Sequence, residues 1–310
     1  MILRDRLRCP EPAPSRRQLL LGAATGLLLP GCTLNPDRDH DDADAPTSEV
    51  PLFAGPASSR PITAWVLSSG GPRGFVHVGV LKALDELGLR PDLIVGASVG
   101  AFIGVLRAGG RSGREIEALA LELRPWWLAR LAVGTPEHLS GAPLADYVRS
   151  QTGEHLLERL PIPAVCVATR MSDGVAVGFN RGDIGLAVQA ASAIEGRFAP
   201  VRIRGQRYLD ADQTLPLPVR MARALGATRV LAVDASAHED RAPAGAEHYR
   251  VGDLHKRALT APDARAADVL LHPDFGYWVS LSREFRERAI AAGYRATLAD
   301  AARIRALHGA

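Results

Sequence analysis

The stretch LIVGASVGAFIG, residues 93–104, sets Ser98 between Gly96 and Gly100 directly after an apolar run. A serine raised on a tight strand-to-helix turn suits an acyl-transfer nucleophile. The turn exposes Oγ, and the helix that follows aims its first N–H groups at the same place. The flanking glycines remove Cβ atoms that would hold strand and helix apart. The same residues could equally form a small-residue turn without chemistry, so the surroundings must decide. A second glycine cluster, SSGGPRGFVHVGVL (68–81), also follows an apolar run and opens a helical pattern. Its exposed backbone N–H groups suit the oxyanion of a tetrahedral intermediate. Pro72 carries no N–H, which leaves Gly70, Gly71, Arg73 and Gly74 as candidate donors. The G-K-[ST] ending of a phosphate-binding loop is missing, so a nucleotide site is not expected.

These loops need elements to hold them. ITAWVLS (62–68) and DLIVG (92–96) read as short strands. Helical spacing covers 75–87 through Val76, Val80, Leu84 and Leu87, and a second helix runs over 98–106. Ser112 and Glu115 form a capping box ahead of REIEALALEL. PAVCVATR and VAVGF flank a hairpin turn at Ser172, Asp173 and Gly174. A helix over 184–193, strands VRI and RYLD, helix LPVRMARALG and strand RVLAV follow. A looser segment, 236–265, precedes ADVLLHP and a terminal helix from about Ser280. Strands alternating with helices indicate one α/β layered domain with a largely parallel sheet. Two glycine turns on adjacent parallel strands would emerge at one edge of that sheet.

The charge is concentrated at the start of the chain. Arg4, Arg6, Arg8, Arg16 and Arg17 against Asp5 and Glu11 account for the whole formal surplus of +3. The remainder is formally neutral, which argues against a nucleic-acid partner. Residues 1–31 read as an export signal, with basic residues, an apolar core from Leu19 to Leu29 and a small-residue site. SRRQLLL resembles a twin-arginine export motif and LPGC resembles a lipobox that would make Cys32 the lipidated first residue. The core is too short to span a bilayer. Residues 32–60, with DRDHDDAD and then Pro, Ser and Gly, read as a solvated, disordered tether, and 61–310 as the folded domain. Asp37, Asp39 and Asp41 imitate the start of a calcium loop, but Asp42 and Ser48 stand where it needs Gly and a bidentate acid. The expected protein is therefore membrane-anchored through lipid and periplasm-facing, with Thr33 favouring the outer membrane. Cys166, in an apolar run, reads as a buried small hydrophobe, and no metal or disulfide spacing is present.

SGGPRGFVHVGVL followed by GASVG resembles the patatin-like phospholipases, whose pattern is a GGG-x-R/K-G oxyanion loop and then a G-x-S-x-G nucleophile. The resemblance continues in order through GAPLADYV, VATR, QAASAIEGRFAPVRIRGQRYLDADQTLPLPV and ADVLLHPDFG, over roughly 62–300. It implies a single three-layer α/β domain, an acyl-ester hydrolase of phospholipase A or lysophospholipase type, no cofactor, and a membrane lipid or lysolipid as substrate. It also implies a Ser–Asp dyad, with Ser98 as nucleophile and Asp210 as base; a desolvated carboxylate can serve if its pKa rises toward working pH. Asp212 and Asp234 are the nearby competitors, read as an outer acid and a cap. Ser69 replaces the first loop glycine, Ala211 the glycine after the aspartate, and Glu195 a common proline. Alanine would be strained if position 211 needs φ > 0.

Two other readings follow from the residues. A hydrolase triad of Ser98, an acid at Asp210 or Asp234, and His272 has the right chain order. A catalytically silent envelope lipoprotein is the other. His77 reads as a structural hydrogen-bond partner. Trp126, Trp127, Leu128 and Leu131 read as a core helix end, with a membrane-facing lid as the alternative.

Overall fold

The computed structural model describes residues 38–47, 60–132 and 136–309. The export signal and Cys32 lie outside the described residues. The described part of Pro36–Ala310 is one compact unit built on a mixed sheet. Its strands are β1 (Asp39–His40), β2 (Thr63–Leu67), β3 (Leu93–Ala97), β6 (Ala164–Arg170), β7 (Val175–Phe179), β8 (Val201–Ile203), β9 (Gln206–Asp210), β10 (Arg229–Val233) and β11 (Val269–Leu271). Strands β4 (Arg130–Leu131) and β5 (Leu139–Ser140) form a separate antiparallel pair.

The strands β11, β10, β2, β3 and β6 lie side by side and parallel. Along β2 the side chains alternate between two apolar cores: Trp65 and Leu67 enter one, Ala64 and Val66 the other. Burial on both faces is what a parallel sheet between helix layers requires. The larger core takes helices α1 (Phe75–Glu86), α2 (Val99–Ala108), α3 (Gly113–Glu122), α4 (Ala142–Thr152), α5 (Ile184–Ala191), α8 (Arg283–Ala299) and α9 (Ala301–His308). The smaller core takes α6 (Val219–Ala224) and α7 (Glu247–Ala266). The result is the expected three-layer α/β domain.

Local signals work where expected. Ser112 caps α3, its Oγ accepting from Glu115 N while Glu115 Oε2 accepts from Ser112 N. Gly174, at φ 69°, closes the β6–β7 hairpin. Cys166 is fully buried, and burial pushes its thiol up to about 12.

Three expectations need correction. Residues 236–265 are not a loose segment throughout, because α7 covers most of them. Its sequence is polar, and only Thr260 and Asp263 are buried, so no apolar stripe announces it. Asp263 instead anchors it by accepting from Arg220 N (2.7 Å) and Nε (2.9 Å) on α6.

The tether is not disordered along its whole length. β1 pairs in parallel with β8, Asp39 Oδ2 accepts from Gly205 N (2.8 Å), and Ala45 is buried. This short strand covers the β8 edge that the sheet would otherwise expose.

Trp126 and Trp127 are not a core helix end. They are 68% and 45% exposed on the 3-10 turn Pro125–Trp127, and Leu131 is 79% exposed.

Candidate active site

β6 decides what meets Ser98. β3 pairs with its residues 164–167 and β9 with 168–170, while β7 pairs with 166–170. Each β6 residue has only two edges, so β3 and β9 share the edge that β7 leaves free. They meet there end to end. Ala97 faces Val167, Asp210 faces Ala168, and Ser98 leaves β3 beside Asp210.

Ser98 sits at φ 52°, ψ −125°, outside the regions a non-glycine residue normally occupies. Such backbone strain costs about 1–3 kcal/mol and persists only where packing over-determines it. The packing is plain. A Cβ on Gly96 would meet Gly100 O at 2.4 Å, and one on Gly100 would meet Leu67 O at 2.2 Å. α2 therefore lies against β3 and β2 at a distance that only glycine allows. Ser98 O closes the first turn of α2 by accepting from Ala101 N and Phe102 N.

The glycine loop forms the 3-10 turn Gly71–Gly74 after β2. Gly71 lies at φ 53° and lines both cavities that Ser98 lines; Gly70 lines the polar one. At the start of the turn, the N–H groups of Gly70 and Gly71 precede its first hydrogen bond and remain available to an oxyanion. The other two candidates have further structural roles. Arg73 N donates to Gly70 O (3.1 Å), inside the turn. Gly74 provides clearance, because a Cβ there would meet Val99 Cγ1 at 2.2 Å.

The Arg73 guanidinium is a buried clamp. It donates to the carbonyls of Ala235 (3.1 Å), Gly276 (3.1 Å) and Tyr277 (2.9 Å), and stacks 4.6 Å from the Phe275 ring centre. Burial lowers its pKa, opposed by the charges of Asp253 and Asp274. His77 is fully buried, with Nε2 donating to Ser68 O (2.9 Å), and burial lowers it to about 4. It is a structural donor that fixes the loop's entry, as the sequence suggested.

Asp210 is buried, with Oδ1 accepting from Asp212 N (2.9 Å). Oδ2 is buried without a formed hydrogen bond, although the Ser98 hydroxyl is near enough to act on the carboxyl as a donor. Burial raises the carboxyl to about 7; Asp212 adds to the rise, while the Ser98 hydroxyl, the Asp212 N–H and Lys256 oppose it. Ala211 has no positive φ and packs among Val167, Leu215 and Leu217, so the feared strain does not arise.

The remaining candidates fall elsewhere. Asp234 Oδ1 accepts from Ser236 N (2.8 Å), a loop cap. His272 stacks on His238 (3.8 Å between ring centres) and donates or accepts at Ser236; it lines neither cavity at Ser98. The Ser98–His272 triad is therefore not assembled. Among the described residues, no group of His, Cys, Asp and Glu could hold a metal ion.

Ser98 opens on two cavities. One, of about 320 Å³, is apolar and runs between Phe102, Ile103, Leu119, Leu128, Leu144 and Phe198. The other, of about 460 Å³, is polar and is bounded by Glu195, Asp210, Asp212, Asp253 and Lys256. Beside the apolar cavity, Arg124 lies over both exposed indoles, 5.7 Å from Trp126 and 5.5 Å from Trp127. Lys256 and Arg286, which ties Leu281 O to the carbonyls of Ala120 and Leu123, had no sequence signal.

An uncharacterized NTE family protein of Mycobacterium tuberculosis is 35% identical over 185 residues, covering 59% of this chain and 51% of the relative. A lysophospholipase of Saccharomyces cerevisiae is 29% identical over 185 residues, 57% of this chain and 11% of the yeast protein. The chain spans about half the length of the mycobacterial relatives it matches. The crystal structure of VipD from Legionella pneumophila overlaps at a TM-score of 0.46 with 15% identity, over 77% of this chain and 66% of that one. The profile of the patatin-like phospholipases matches residues 65–223, from within β2 through the Ser98 elbow to the Asp210 turn and α6. With half of its length matched across that unit, this chain belongs to the patatin-like phospholipase family.

Proposed function

We propose that this protein is a serine acyl-ester hydrolase of phospholipase A or lysophospholipase type, acting on membrane lipids through Ser98 and Asp210. The observation that carries the reading is one carboxyl, Asp210, raised by burial to about 7 beside a strained serine at the mouth of an apolar cavity. A carboxylate near neutrality can take a proton from a serine hydroxyl and return it to a leaving group.

In the proposed reaction, Asp210 accepts the Ser98 hydroxyl proton as Oγ attacks the ester carbonyl. The oxyanion is held by the N–H groups of Gly70 and Gly71, helped by the N-terminus of α2. Collapse expels the alcohol, which takes the proton from Asp210. Water, deprotonated by Asp210, then attacks the acyl-enzyme, releases the fatty acid and restores Ser98. Membership of a family with lysophospholipase relatives supports this reading.

The exposed Trp126, Trp127 and Leu131 would form the lipid-facing rim of the acyl cavity, since indoles settle at a membrane interface. Anchoring through Cys32 at the cell envelope completes the proposal and rests on the LPGC sequence. Labelling with a fluorophosphonate, together with fatty-acid release from a panel of phospholipids and lysophospholipids, tests it. Ser98→Ala must lose labelling and Asp210→Asn must lose turnover. A Ser98→Ala protein that still releases fatty acid would overturn the assignment.

A further inference from the structure

Ser69, which departs from the family's first loop glycine, and Asp212, which stands where the family's pattern after the aspartate has a second small residue, are joined in space by one residue. Lys256, on α7 and beyond the matched stretch, donates from Nζ to Ser69 Oγ (3.0 Å) and to Asp212 Oδ1. The Ser69 hydroxyl also favours the charged Asp212, which closes a triangle of three side chains. Each corner is fastened to the site. Ser69 is buried, its N–H held by Pro216 O (2.8 Å), and it directly precedes Gly70 and Gly71. Asp212 donates its N–H to Asp210 Oδ1 (2.9 Å). Glycine at 69 and 212 would have no side chain for Lys256 to bridge.

We propose that Lys256 is a positioning residue for the reaction: its ammonium ties the entry of the oxyanion loop, at Ser69, to the turn carrying Asp210, through Asp212. The proposal rests on the reading of Asp210 as the base. The tie fixes the distance between oxyanion donors and base, two parts that come from different strands. It also balances charge. Asp212 is a half-buried acid directly beside Asp210, and Lys256 neutralises it, so that Asp210 feels a pair rather than a lone carboxylate.

Burial raises Asp212, but the Lys256 charge and hydrogen bond outweigh this and lower it. Other charges around Asp210 are accounted for. Glu195 and Asp253 lie on the cavity wall, Asp253 accepts from the Tyr277 hydroxyl, and the Arg73 guanidinium is turned to three carbonyls.

The test is the fluorophosphonate labelling rate of the full chain from about pH 5 to pH 9, alongside p-nitrophenyl ester hydrolysis and thermal unfolding. Asp212→Asn keeps the cation and removes the anion, so the midpoint of the acid limb must fall. Lys256→Met removes the cation, so the midpoint must rise. The double variant must return it toward the parent value with the plateau lowered roughly tenfold, because the tie is gone. Lys256→Arg must restore the parent midpoint, and it decides the matter with Asp212→Asn if Lys256→Met does not fold. An unmoved midpoint in both single variants, or shifts in one direction, overturns the proposal. So does a defect confined to KM for phospholipids with ester kinetics unchanged, which would make Lys256 a head-group contact. Asp210→Asn separates the failures: full labelling in that variant sinks the dyad itself, whereas lost labelling with unmoved limbs sinks only the role of Lys256.

Discussion

Asp210 stands one rung beyond Ala97 on the same edge of β6, so that Ser98, the next residue, leaves the sheet directly beside it. The two arrive from opposite directions, β3 parallel to β6 and β9 antiparallel, and each strand ends where the other does. A pairing built this way depends on strand register rather than on flexible loops, which is how a rigid scaffold holds two groups in place.

The raised Asp210 carboxyl links activity to stability. Turnover should climb through about pH 7 as Asp210 loses its proton. Between the usual 3.8 and about 7 the folded protein holds a proton that the unfolded chain has lost, so stability falls as pH rises through that window. Asp210→Asn keeps the acceptor for Asp212 N–H but cannot ionise. It should abolish turnover yet gain up to about 4 kcal/mol over the parent at pH 8, with little difference at pH 3. Denaturant unfolding at both pH values checks this; equal gains at both would contradict it.

Gly100→Ala should be among the costliest single substitutions in the domain. The added methyl meets Leu67 O at 2.2 Å, within the backbone and with no side chain able to yield. A loss of about 3 kcal/mol or more is expected. Gly74→Ala meets only Val99 side-chain atoms, so it should fold but shift the elbow and cut turnover by at least about tenfold. Comparing melting and ester hydrolysis of the two variants checks the contrast.

Arg73→Lys keeps the charge and loses the fork. The carbonyls of Ala235, Gly276 and Tyr277 cannot all be reached by one ammonium. The variant should lose about 2–4 kcal/mol of stability, read by denaturant unfolding. A near-neutral result would show that the clamp is dispensable.

Replacing both Trp126 and Trp127 by Ala removes two exposed indoles without opening the core. Hydrolysis of a short, water-soluble ester should be unchanged, while release of fatty acid from vesicles should fall about tenfold or more. Equal losses on both substrates would make the tryptophans structural instead.

Much of the fold was legible because its signals are local. Glycine at 96, the Ser112–Glu115 box and the turn at Gly174 each depend on neighbours a few residues away. The polar helix α7 was not legible, since Asp263 and Lys256 act on residues more than forty positions distant. Nor was the exposure of Trp126, because an apolar residue reads alike whether it faces a core or a solvent.

The sequence by itself determined the strained serine turn, the glycine loop that faces it and the family to which both belong, because those features are contiguous and sterically demanding. Only the tertiary structure decided which loop N–H groups stay free, whether Ala211 is strained, and what Arg73 and Lys256 hold. Those answers depend on burial, on the shared edge of β6, and on hydrogen bonds between residues far apart in the chain.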